Sequence, residues 1–253
     1  MRVLILGGTT QASQLAHSLG QDSHFNVIFS LAGVTRNPVL PNVSIRIGGF
    51  SGVSGLSDFL AAQKIDAVVD ATHPFAAQMS RNAANACASS SIPLVRIDRP
   101  AWTEGPGDRW THVATIEDAA RSLGSQPQTV FLTTGRKDLA PFQAAPQHRY
   151  ILRSIDQPDP ASLPPQVILR LARPPFTVES ERTLMQKQGV TVLITKNAGA
   201  DATRAKLEAA RSLGLAVIMI DRPVLPSVRT VTTVEGALLW LRNSAHAGTD
   251  RDV

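Results

Sequence analysis

The sequence contains a single cysteine, a single tyrosine and few aromatic residues. Having only Cys87 excludes an internal disulfide and any metal site built from several cysteines. Because Cys87 lies in an alanine-rich helical stretch, a small buried thiol is a better interpretation than a nucleophile. The only tyrosine, Tyr150, does not stand in a Tyr-x-x-x-Lys pair. Short-chain dehydrogenase chemistry is therefore not expected.

The sequence also lacks long apolar runs and a dense basic tract. No run approaches the ~18 apolar residues that span a bilayer, and the first residues read as a strand and glycines rather than a signal peptide. We therefore expect a cytoplasmic protein with no membrane partner. The net charge is +5, and 20 of the 25 basic residues are scattered arginines. This pattern disfavours nucleic acid and favours an anionic small molecule, unless it only reflects the composition of the source genome.

The first strand and turn lack the standard dinucleotide fingerprint. A buried strand is predicted over Val3 to Leu6, followed by Gly7-Gly-Thr-Thr10 and a helix from Gln11 to Leu19. The pattern G-x-G-x-x-G would require glycine at positions 7, 9 and 12, where the chain has Gly7, Thr9 and Ala12. A strand, a glycine turn and a helix can still hold a phosphate. An ordinary turn without a ligand fits the residues equally well.

An acidic residue is also missing after the second predicted strand, which covers Phe25 to Leu31. In nucleotide-binding α/β folds an acid there binds the ribose 2′-hydroxyl, whereas a basic residue accommodates a 2′-phosphate. The chain has Arg36 instead, which favours NADP over NAD if a dinucleotide binds. A solvated loop arginine is the alternative. The third strand, Val43 to Ile47, runs into Gly48-Gly-Phe-Ser-Gly52, a loop that approaches a neighbour closely or adopts positive φ.

Polar residues follow the next predicted strand, which covers Ile65 to Asp70. The string Asp70-Ala-Thr-His-Pro-Phe-Ala76 places them where open α/β sheets carry functional groups. We therefore expect Thr72 and His73 to contact a ligand. The alternative for His73 is a helix-capping or packed histidine.

The two halves of the chain resemble each other. Ile97-Asp-Arg-Pro100 matches Ile220-Asp-Arg-Pro223, and residues 113–119 match residues 231–237, although short strings can match by chance. Strands alternate with helices in both halves, which predicts parallel sheets. We expect two Rossmann-like α/β units, each with three layers, facing each other across a cleft. Their predicted ranges are 1–124 and 125–253, with the last helix, 234–242, packing on either unit.

Together these motifs resemble the precorrin-6A reductase and cobalt-precorrin-6A reductase family of cobalamin biosynthesis, in order and over nearly the whole chain. The matching residues are Ile5-Leu-Gly-Gly-Thr-Thr10, Ser30-Leu-Ala-Gly33 with Arg36, Gly48-Gly-Phe50, Asp70-Ala-Thr-His-Pro-Phe-Ala76, Thr133-Thr-Gly135, Lys196-Asn197 with Gly199, Thr203 and Lys206, and Asp221-Arg-Pro223. One departure is Lys196-Asn-Ala-Gly-Ala200, where the family has Lys-Asn-Ser-Gly-Gly. This change removes a hydroxyl donor from the loop.

The resemblance implies NADPH-dependent reduction of a double bond in precorrin-6A, a polycarboxylate macrocycle, to give precorrin-6B, with no metal or flavin. The 1–124 unit would bind NADPH and the 125–253 unit the substrate. The residues expected to bind NADPH are Gly7, Gly8, Thr9, Thr10, Ser30, Arg36, Gly48, Gly49, Thr72 and His73. Those expected to bind precorrin-6A are Arg136, Lys196, Asn197, Thr203, Lys206 and Arg222.

His73 is the candidate proton donor. We expect a monomer, with neighbouring enzymes of the cobalamin pathway as candidate partners. Two other functions fit the same frame. One is an NADP-dependent oxidoreductase acting on another small substrate, and the other is a non-catalytic, two-lobed nucleotide-binding protein.

Overall fold

The computed structural model describes residues 1–33 and 40–249, which form two compact units. Unit 1 comprises residues 1–100 and 224–253, and unit 2 comprises residues 101–223. The chain therefore passes from unit 1 to unit 2 after Pro100 and returns after Pro223. Each passage directly follows an Ile-Asp-Arg-Pro string. None of the helices in the described ranges is long and apolar enough to cross a membrane.

Unit 1 is built on a six-stranded parallel sheet; strands and helices are numbered along the whole chain. Its strands are β1 (Arg2–Leu6), β2 (Asn26–Leu31), β3 (Ser44–Ile47), β4 (Ala67–Asp70), β5 (Leu94–Ile97) and β12 (Arg229–Val231). Its helices are α1 (Thr10–Leu19), α2 (Gly52–Ala62), α3 (Ala77–Ser89) and α8 (Val234–Thr249). The strand order is β3-β2-β1-β4-β5-β12, so the direction of winding reverses between β1 and β4.

Successive residues of β1 face opposite sides of this sheet, as expected from the two-residue period of a strand. Val3 and Ile5 are fully buried in a cluster with side chains of α1 and α8. Leu4 and Leu6 are buried in a second cluster with side chains of α2 and α3. Because both faces are covered by helices, β1 reads as the continuous apolar run expected of a buried parallel strand.

Unit 2 contains a second six-stranded parallel sheet. Its strands are β6 (Trp110–Val113), β7 (Thr129–Leu132), β8 (Arg149–Ser154), β9 (Val167–Leu171), β10 (Val192–Lys196) and β11 (Ala216–Ile220). Its helices are α4 (Ile116–Arg121), α5 (Ala140–Gln143), α6 (Val178–Gln188) and α7 (Ala205–Ser212). The strand order is β9-β8-β7-β10-β11-β6, which reverses between β7 and β10. Side chains of α6 and α7 share one apolar cluster with this sheet.

The two units exchange their last strands. The segment after β5 of unit 1 forms β6 and α4 of unit 2, and the segment after β11 of unit 2 forms β12 and α8 of unit 1. The matching strings occupy matching places. Asp98 N–H donates to the Val231 carbonyl over 2.8 Å, and Asp221 N–H donates to the Val113 carbonyl over 2.9 Å. The sequence repeat is therefore a structural repeat.

The threonines in the repeated segments begin the following helices in the same way. The Thr115 hydroxyl accepts a hydrogen bond from the Asp118 N–H at the start of α4. The Thr233 hydroxyl accepts one from the Gly236 N–H at the start of α8. These are N-cap contacts, which satisfy a donor that the first helical turn leaves unpaired.

The fold class is confirmed, since both units are α/β with parallel sheets. The unit boundaries differ from the predicted 1–124 and 125–253, because β6 pairs with β11 and β12 pairs with β5. The last helix belongs to unit 1, where Trp240 and Leu241 are buried beside α1. It continues to Thr249, beyond the predicted end at residue 242. Helix α2 begins at Gly52, inside the predicted glycine loop.

Candidate functional site

The switch point of each sheet gathers most of the predicted site residues. In open α/β sheets, ligands bind at the carboxyl edge where the strand order reverses. In unit 1, Gly7–Thr10 follow β1, and Thr72 and His73 follow β4. Ser30 lies near the end of β2, and Gly48 and Gly49 follow β3. Because all these strands are parallel, these residues share one edge of the sheet.

The turn after β1 is shaped by packing and by capping. A Cβ at Gly7 would lie 2.6 Å from Cζ of the buried Phe29, so no side chain fits there. Gly8 has φ +118°, and a Cβ there would meet no atom within 4 Å. The Thr9 hydroxyl accepts from the Ala12 N–H over 3.1 Å and donates to the Ala71 carbonyl over 2.8 Å. Thr9 therefore caps α1 and ties it to the end of β4.

The same turn leaves an electropositive helix end. Thr10 is exposed at the first position of α1, and the first turn of that helix contains no acidic residue. Helix N-termini carry N–H groups that the helix itself cannot satisfy, together with a partial positive charge. The arrangement suits an anion bound by backbone groups.

Asp70 at the end of β4 belongs to a buried ion pair. Its carboxylate lies 3.1 Å from Nε of Arg96 on β5, and both side chains are almost fully buried. Asp70 also accepts hydrogen bonds from the Thr72 N–H and the Thr72 hydroxyl. Arg96 donates in addition to the Pro226 carbonyl, in the segment that leads to β12. Asp70 therefore holds the Thr72 turn in place and joins β4 to the segment returned from unit 2.

His73 closes the turn that precedes α3. Its Nδ1 accepts a hydrogen bond from the Phe75 N–H over 3.2 Å, and its ring centroid lies 5.7 Å from that of Phe75. An imidazole that accepts at Nδ1 carries its proton on Nε2. The N-cap of α3 is Ala76, so His73 does not cap that helix.

Burial explains why Cys87 is not part of this chemistry. The thiol lies on α3 in the apolar cluster between that helix and the sheet. Burial, assisted by the nearby negative charge of Asp70, raises the pKa of Cys87 to about 12. A thiol in this state is a poor nucleophile, which agrees with the interpretation of Cys87 as a small buried residue.

Arg46 was missed by the sequence reasoning. It lies on β3, and its guanidinium donates to the carbonyls of Gly48 and Gly49. The signal that could have identified it is a basic residue two positions before a glycine pair. Arg36, predicted to bind a 2′-phosphate, lies outside the described residues.

The switch point of unit 2 is built around Lys206 and Thr133. Nζ of Lys206 donates to the Thr133 hydroxyl over 3.1 Å, directly after β7, and lies 5.5 Å from the ring centroid of Trp102. Lys206 is 5% exposed. The pKa of Lys206 is lowered to about 7, chiefly by burial of the amine; the like charge of Arg153 contributes to the lowering, and the opposite charge of Glu181 opposes it. The predicted substrate contact is therefore a buried amine.

A second buried ion pair lies close to Lys206 and was not anticipated. Arg153 at the end of β8 pairs with Glu181 on α6, and both side chains are almost fully buried. The Arg153 guanidinium also lies 3.8 Å from the ring centroid of Phe176. No sequence pattern pointed to this pair, because its partners are 28 residues apart.

Asn197 is used inside the fold. Its side-chain oxygen accepts from the Trp102 N–H over 2.8 Å, and its amide nitrogen donates to the Trp102 carbonyl over 3.0 Å. Arg222 donates to the carbonyls of Asn197 and Ala198. The Thr203 hydroxyl donates to the Ala200 carbonyl. These three predicted substrate residues shape the loop after β10.

The remaining two basic residues lie on neighbouring turns. Lys196, at the end of β10, pairs with Asp138 in the segment after β7, and its side chain is 18% exposed. Arg136 lies in that same segment, and its guanidinium donates to the Gln157 carbonyl. Lys196, Asn197 and Arg222 are thus brought together, while Arg136 lies on the adjoining turn.

Two parallel sheets with polar strand ends at their switch points define a doubly wound α/β protein, a class that binds its ligands at such points. The model of the family described as "Precorrin-6x reductase CbiJ/CobK" matches residues 2–242. The chain belongs to this family.

Individual relatives are similar to this chain along nearly its whole length. A precorrin-6A reductase of Rhodobacter capsulatus is 47% identical over 252 residues, which cover 100% of this chain and 99% of the relative. A precorrin-6A reductase of Rhodococcus erythropolis is 46% identical over 241 residues, 95% of this chain and 97% of the relative. A solved structure of CobK precorrin-6A reductase has a TM-score of 0.90 and 47% identity, covering 96% and 97% of the two chains.

These comparisons confirm the resemblance drawn from the motifs. They also confirm that the chain is an oxidoreductase of cobalamin biosynthesis. The individual site residues stay predictions, as do the monomeric state, the pathway partners and the cytoplasmic location.

Proposed function

We propose that this protein reduces precorrin-6A to precorrin-6B with NADPH. The observation that carries the proposal is the family match over residues 2–242. The glycine turn and the polar strand ends at the switch point of unit 1 support the choice of a nicotinamide cofactor. The many basic residues around the switch point of unit 2 support a polycarboxylate substrate.

Unit 1 fits the cofactor through its backbone. The turn from Gly7 to Thr10 would hold the diphosphate with N–H groups at the start of α1. Gly8 leaves this approach open, since a Cβ there would meet no protein atom within 4 Å. Because the Thr9 hydroxyl hydrogen is donated to Ala71, Thr9 contributes its backbone rather than its hydroxyl. Arg36 would hold the 2′-phosphate.

Other turns would complete the cofactor site. Ser30, Gly48 and Gly49 lie at the ends of β2 and β3, where the adenosine ribose binds in such sheets. Thr72 and His73 follow β4 and would flank the nicotinamide. NADPH, when bound, supplies the hydride.

Unit 2 would bind the carboxylates of precorrin-6A. We propose direct contacts from Arg136, Lys196 and Arg222, whose side chains are only partly buried. Asn197 and Thr203 would act by fixing the loop after β10. Lys206 would act by donating a hydrogen bond to the Thr133 hydroxyl from the interior of unit 2. Placing the reacting groups close together and in the right orientation supplies ~7–11 kcal/mol of a typical barrier.

His73 is the proposed proton donor, acting through Nε2. Its Nδ1 accepts a hydrogen bond from the Phe75 N–H, which sets the ring orientation and places the ring proton on Nε2. Donating that proton to the reduced macrocycle would leave an imidazolate, which would regain a proton from water.

The direct test follows NADPH absorbance with purified protein and precorrin-6A. We expect oxidation only when precorrin-6A is present, with one precorrin-6B formed per NADPH consumed. Oxidation with another small substrate but not with precorrin-6A would favour a different NADP-dependent oxidoreductase. Binding of NADPH without oxidation would favour the non-catalytic nucleotide-binding protein.

A further inference from the structure

Three charged side chains are buried together near the switch point of unit 2. Arg153 at the end of β8 pairs with Glu181 on α6, and Lys206 lies at the second position of α7. All three side chains are buried. Two cations therefore share one carboxylate, which leaves an excess of positive charge inside unit 2 whenever Lys206 is protonated.

The carboxylate of this cluster is bonded to Arg153 and not to Lys206. Glu181 Oε1 accepts a hydrogen bond from Arg153 Nη1, and Glu181 Oε2 has no hydrogen-bond partner within residues 1–33 and 40–249. Nζ of Lys206 donates instead to the Thr133 hydroxyl over 3.1 Å. Within the same residues, no ion pair joins Lys206 to a carboxylate. The amine therefore has a neutral hydrogen-bond partner.

These surroundings disfavour the protonated amine in the protein without substrate. Burial lowers the pKa of Lys206 to about 7; the like charge of Arg153 contributes to the lowering, and the opposite charge of Glu181 opposes it. The ring of Trp102, whose centroid lies 5.5 Å from Nζ, stabilises the charge only weakly at this distance. Above about pH 7 the amine is therefore mostly neutral.

Two further ion pairs belong to the same edge of unit 2 and to α7. Lys196 at the end of β10 pairs with Asp138, and Arg204 at the start of α7 pairs with Glu208. Each pair is balanced in charge. The buried ion pair and any anion that binds from outside therefore determine whether Lys206 is charged.

The hydroxyl that binds Lys206 belongs to a turn that is open to a ligand. Thr133 directly follows β7, where the strand order reverses. The next hydroxyl, that of Thr134, is buried without a hydrogen-bond partner among the described residues. A Cβ at Gly135 would meet no atom within 4 Å. Because buried polar groups normally have a partner, this turn suits a carboxylate, which accepts hydrogen bonds and brings negative charge.

We propose that Lys206 takes up a proton when precorrin-6A binds at the switch point of unit 2. The inference rests on the proposed function, since it concerns the same substrate site. The carboxylates of precorrin-6A bring negative charge to the end of β7, which favours the charged form of the amine. The proton passes from solvent to Nζ, and no other covalent bond forms or breaks. Lys206 is a positioning residue, because it acts through Thr133 and through its charge.

Calorimetry in buffers of different ionisation enthalpy measures the number of protons taken up on binding. Precorrin-6A is titrated into the full chain with NADP⁺ present, so that no hydride can be transferred. Lys206→Gln keeps an N–H donor for Thr133 but does not titrate. At about pH 8 we expect the wild type to take up about 0.5 to 1 proton more than this variant. At about pH 6 the amine is already charged before binding, so we expect no difference.

The affinity for precorrin-6A provides a second readout. Because a proton is taken up on binding, the wild-type affinity should fall above about pH 7 by up to about tenfold per pH unit more than that of Lys206→Gln. Lys206→Met replaces this variant if Lys206→Gln does not fold. Lys187→Met is the control, since it removes an exposed lysine of α6, and it should behave as the wild type does.

Two results would overturn the inference. One is binding of precorrin-6A to the wild type at about pH 8 without proton uptake, and the other is equal uptake by the wild type and the Lys206 variants. A wild-type chain that does not bind precorrin-6A would instead contradict the proposed function.

Discussion

Thr9 and Asn197 were both predicted to contact a ligand, and both use their polar groups inside the protein. Thr9 bonds Ala12 and Ala71, and Asn197 bonds both backbone groups of Trp102. The sequence predicted where these residues lie, at the ends of β1 and β10. It did not predict what they contact, because the partners Ala71 and Trp102 are 62 and 95 residues away.

A pair of substitutions tests His73 as the proton donor. His73→Ala removes the ring and its contact with Phe75. His73→Asn keeps an oxygen that accepts the Phe75 N–H, but places no donor at the position of Nε2. We expect kcat to fall about 100-fold in both variants, the usual effect of losing a general acid. The measurement is steady-state kinetics with NADPH and precorrin-6A. If kcat were unchanged in His73→Asn, the role of His73 would be limited to positioning.

The buried amine of Lys206 gives the stability of the protein a pH dependence. Burial lowers the pKa of Lys206 to about 7, whereas an unfolded lysine titrates at about 10.4. Between these values the unfolded chain holds more protons than the folded chain, so the free energy of unfolding rises with pH. Below about pH 7 the amine is charged in both states, so the folded protein bears the whole energetic cost of burying that charge. Above about pH 7 the buried amine becomes neutral, and this cost decreases as the pH rises.

We expect Lys206 to add a slope of about 1 kcal/mol per pH unit between about pH 8 and 10. Urea unfolding at several pH values measures this slope. Lys206→Met provides the comparison, because it fills similar volume without a titrating group. If the two proteins had the same slope, the amine would not be titrating in this range.

At the scale of whole elements, the sequence predicted most strands and helices of both sheets. Strands β1 to β4 end at their predicted last residues, Leu6, Leu31, Ile47 and Asp70. The elements that were missed are short: β6, β12 and α5 have three or four residues each. Both missed strands are edge strands, and β12 is followed and preceded by polar or proline-containing segments. Such segments carry too few apolar residues to show the period of a strand.

The Thr9 hydroxyl caps α1 and bonds the chain just after β4. Its loss should therefore lower the stability of the helix start and of its attachment to β4. We expect Thr9→Ala to lower the free energy of unfolding by about 1–2 kcal/mol, the usual cost of losing an N-cap hydroxyl. Thr9→Ser keeps the hydroxyl and should change stability by less than about 0.5 kcal/mol. Denaturant unfolding of the three proteins provides the comparison. Equal losses in both variants would show that the methyl group, and not the cap, carries the effect.

The Asp70–Arg96 ion pair connects β4, β5 and the segment before β12. Asp70→Asn leaves Arg96 buried without a counter-charge, and we expect a loss of about 3 kcal/mol. Combining it with Arg96→Met should lose less than the sum of the two single changes, since the uncompensated charge is then gone. A double-mutant cycle of unfolding free energies measures this coupling. Strict additivity would mean that the two side chains do not interact in the folded protein.

For the whole molecule, the repeat was visible in the sequence, but the exchange of strands between the two units was not. Ile-Asp-Arg-Pro appears twice, and the segments after it match. The sequence alone placed the boundary near residue 124, because the strand predicted from Thr129 and the glycine after it repeat the strand-and-glycine pattern at the start of the chain. The hydrogen bonds of β6 to β11 and of β12 to β5 decide otherwise. Which sheet accepts a strand depends on pairing between residues more than 100 positions apart.

Truncation after Pro223 tests the exchange of strands. It removes β12 and α8 from unit 1, including the buried Trp240 and Leu241, and it leaves all six strands of unit 2 in place. We expect hydrogen-exchange protection to be lost in β1 and β4 and kept in β7 and β10. Loss of protection in both sheets, or in neither, would contradict this division of the chain.

In the proposed reaction, the protein passes a hydride from NADPH to precorrin-6A. The most direct measurement supplies NADPH with deuterium at C4 of the nicotinamide and determines the mass of the tetrapyrrole product. With one of the two stereoisomers of C4-deuterated NADPH, we expect precorrin-6B to carry one deuterium. In the control, deuterium is present only at the solvent-exchangeable positions of the cofactor, and we expect precorrin-6B to carry none. Product without deuterium from both stereoisomers, or no product at all, would contradict hydride transfer from NADPH to precorrin-6A.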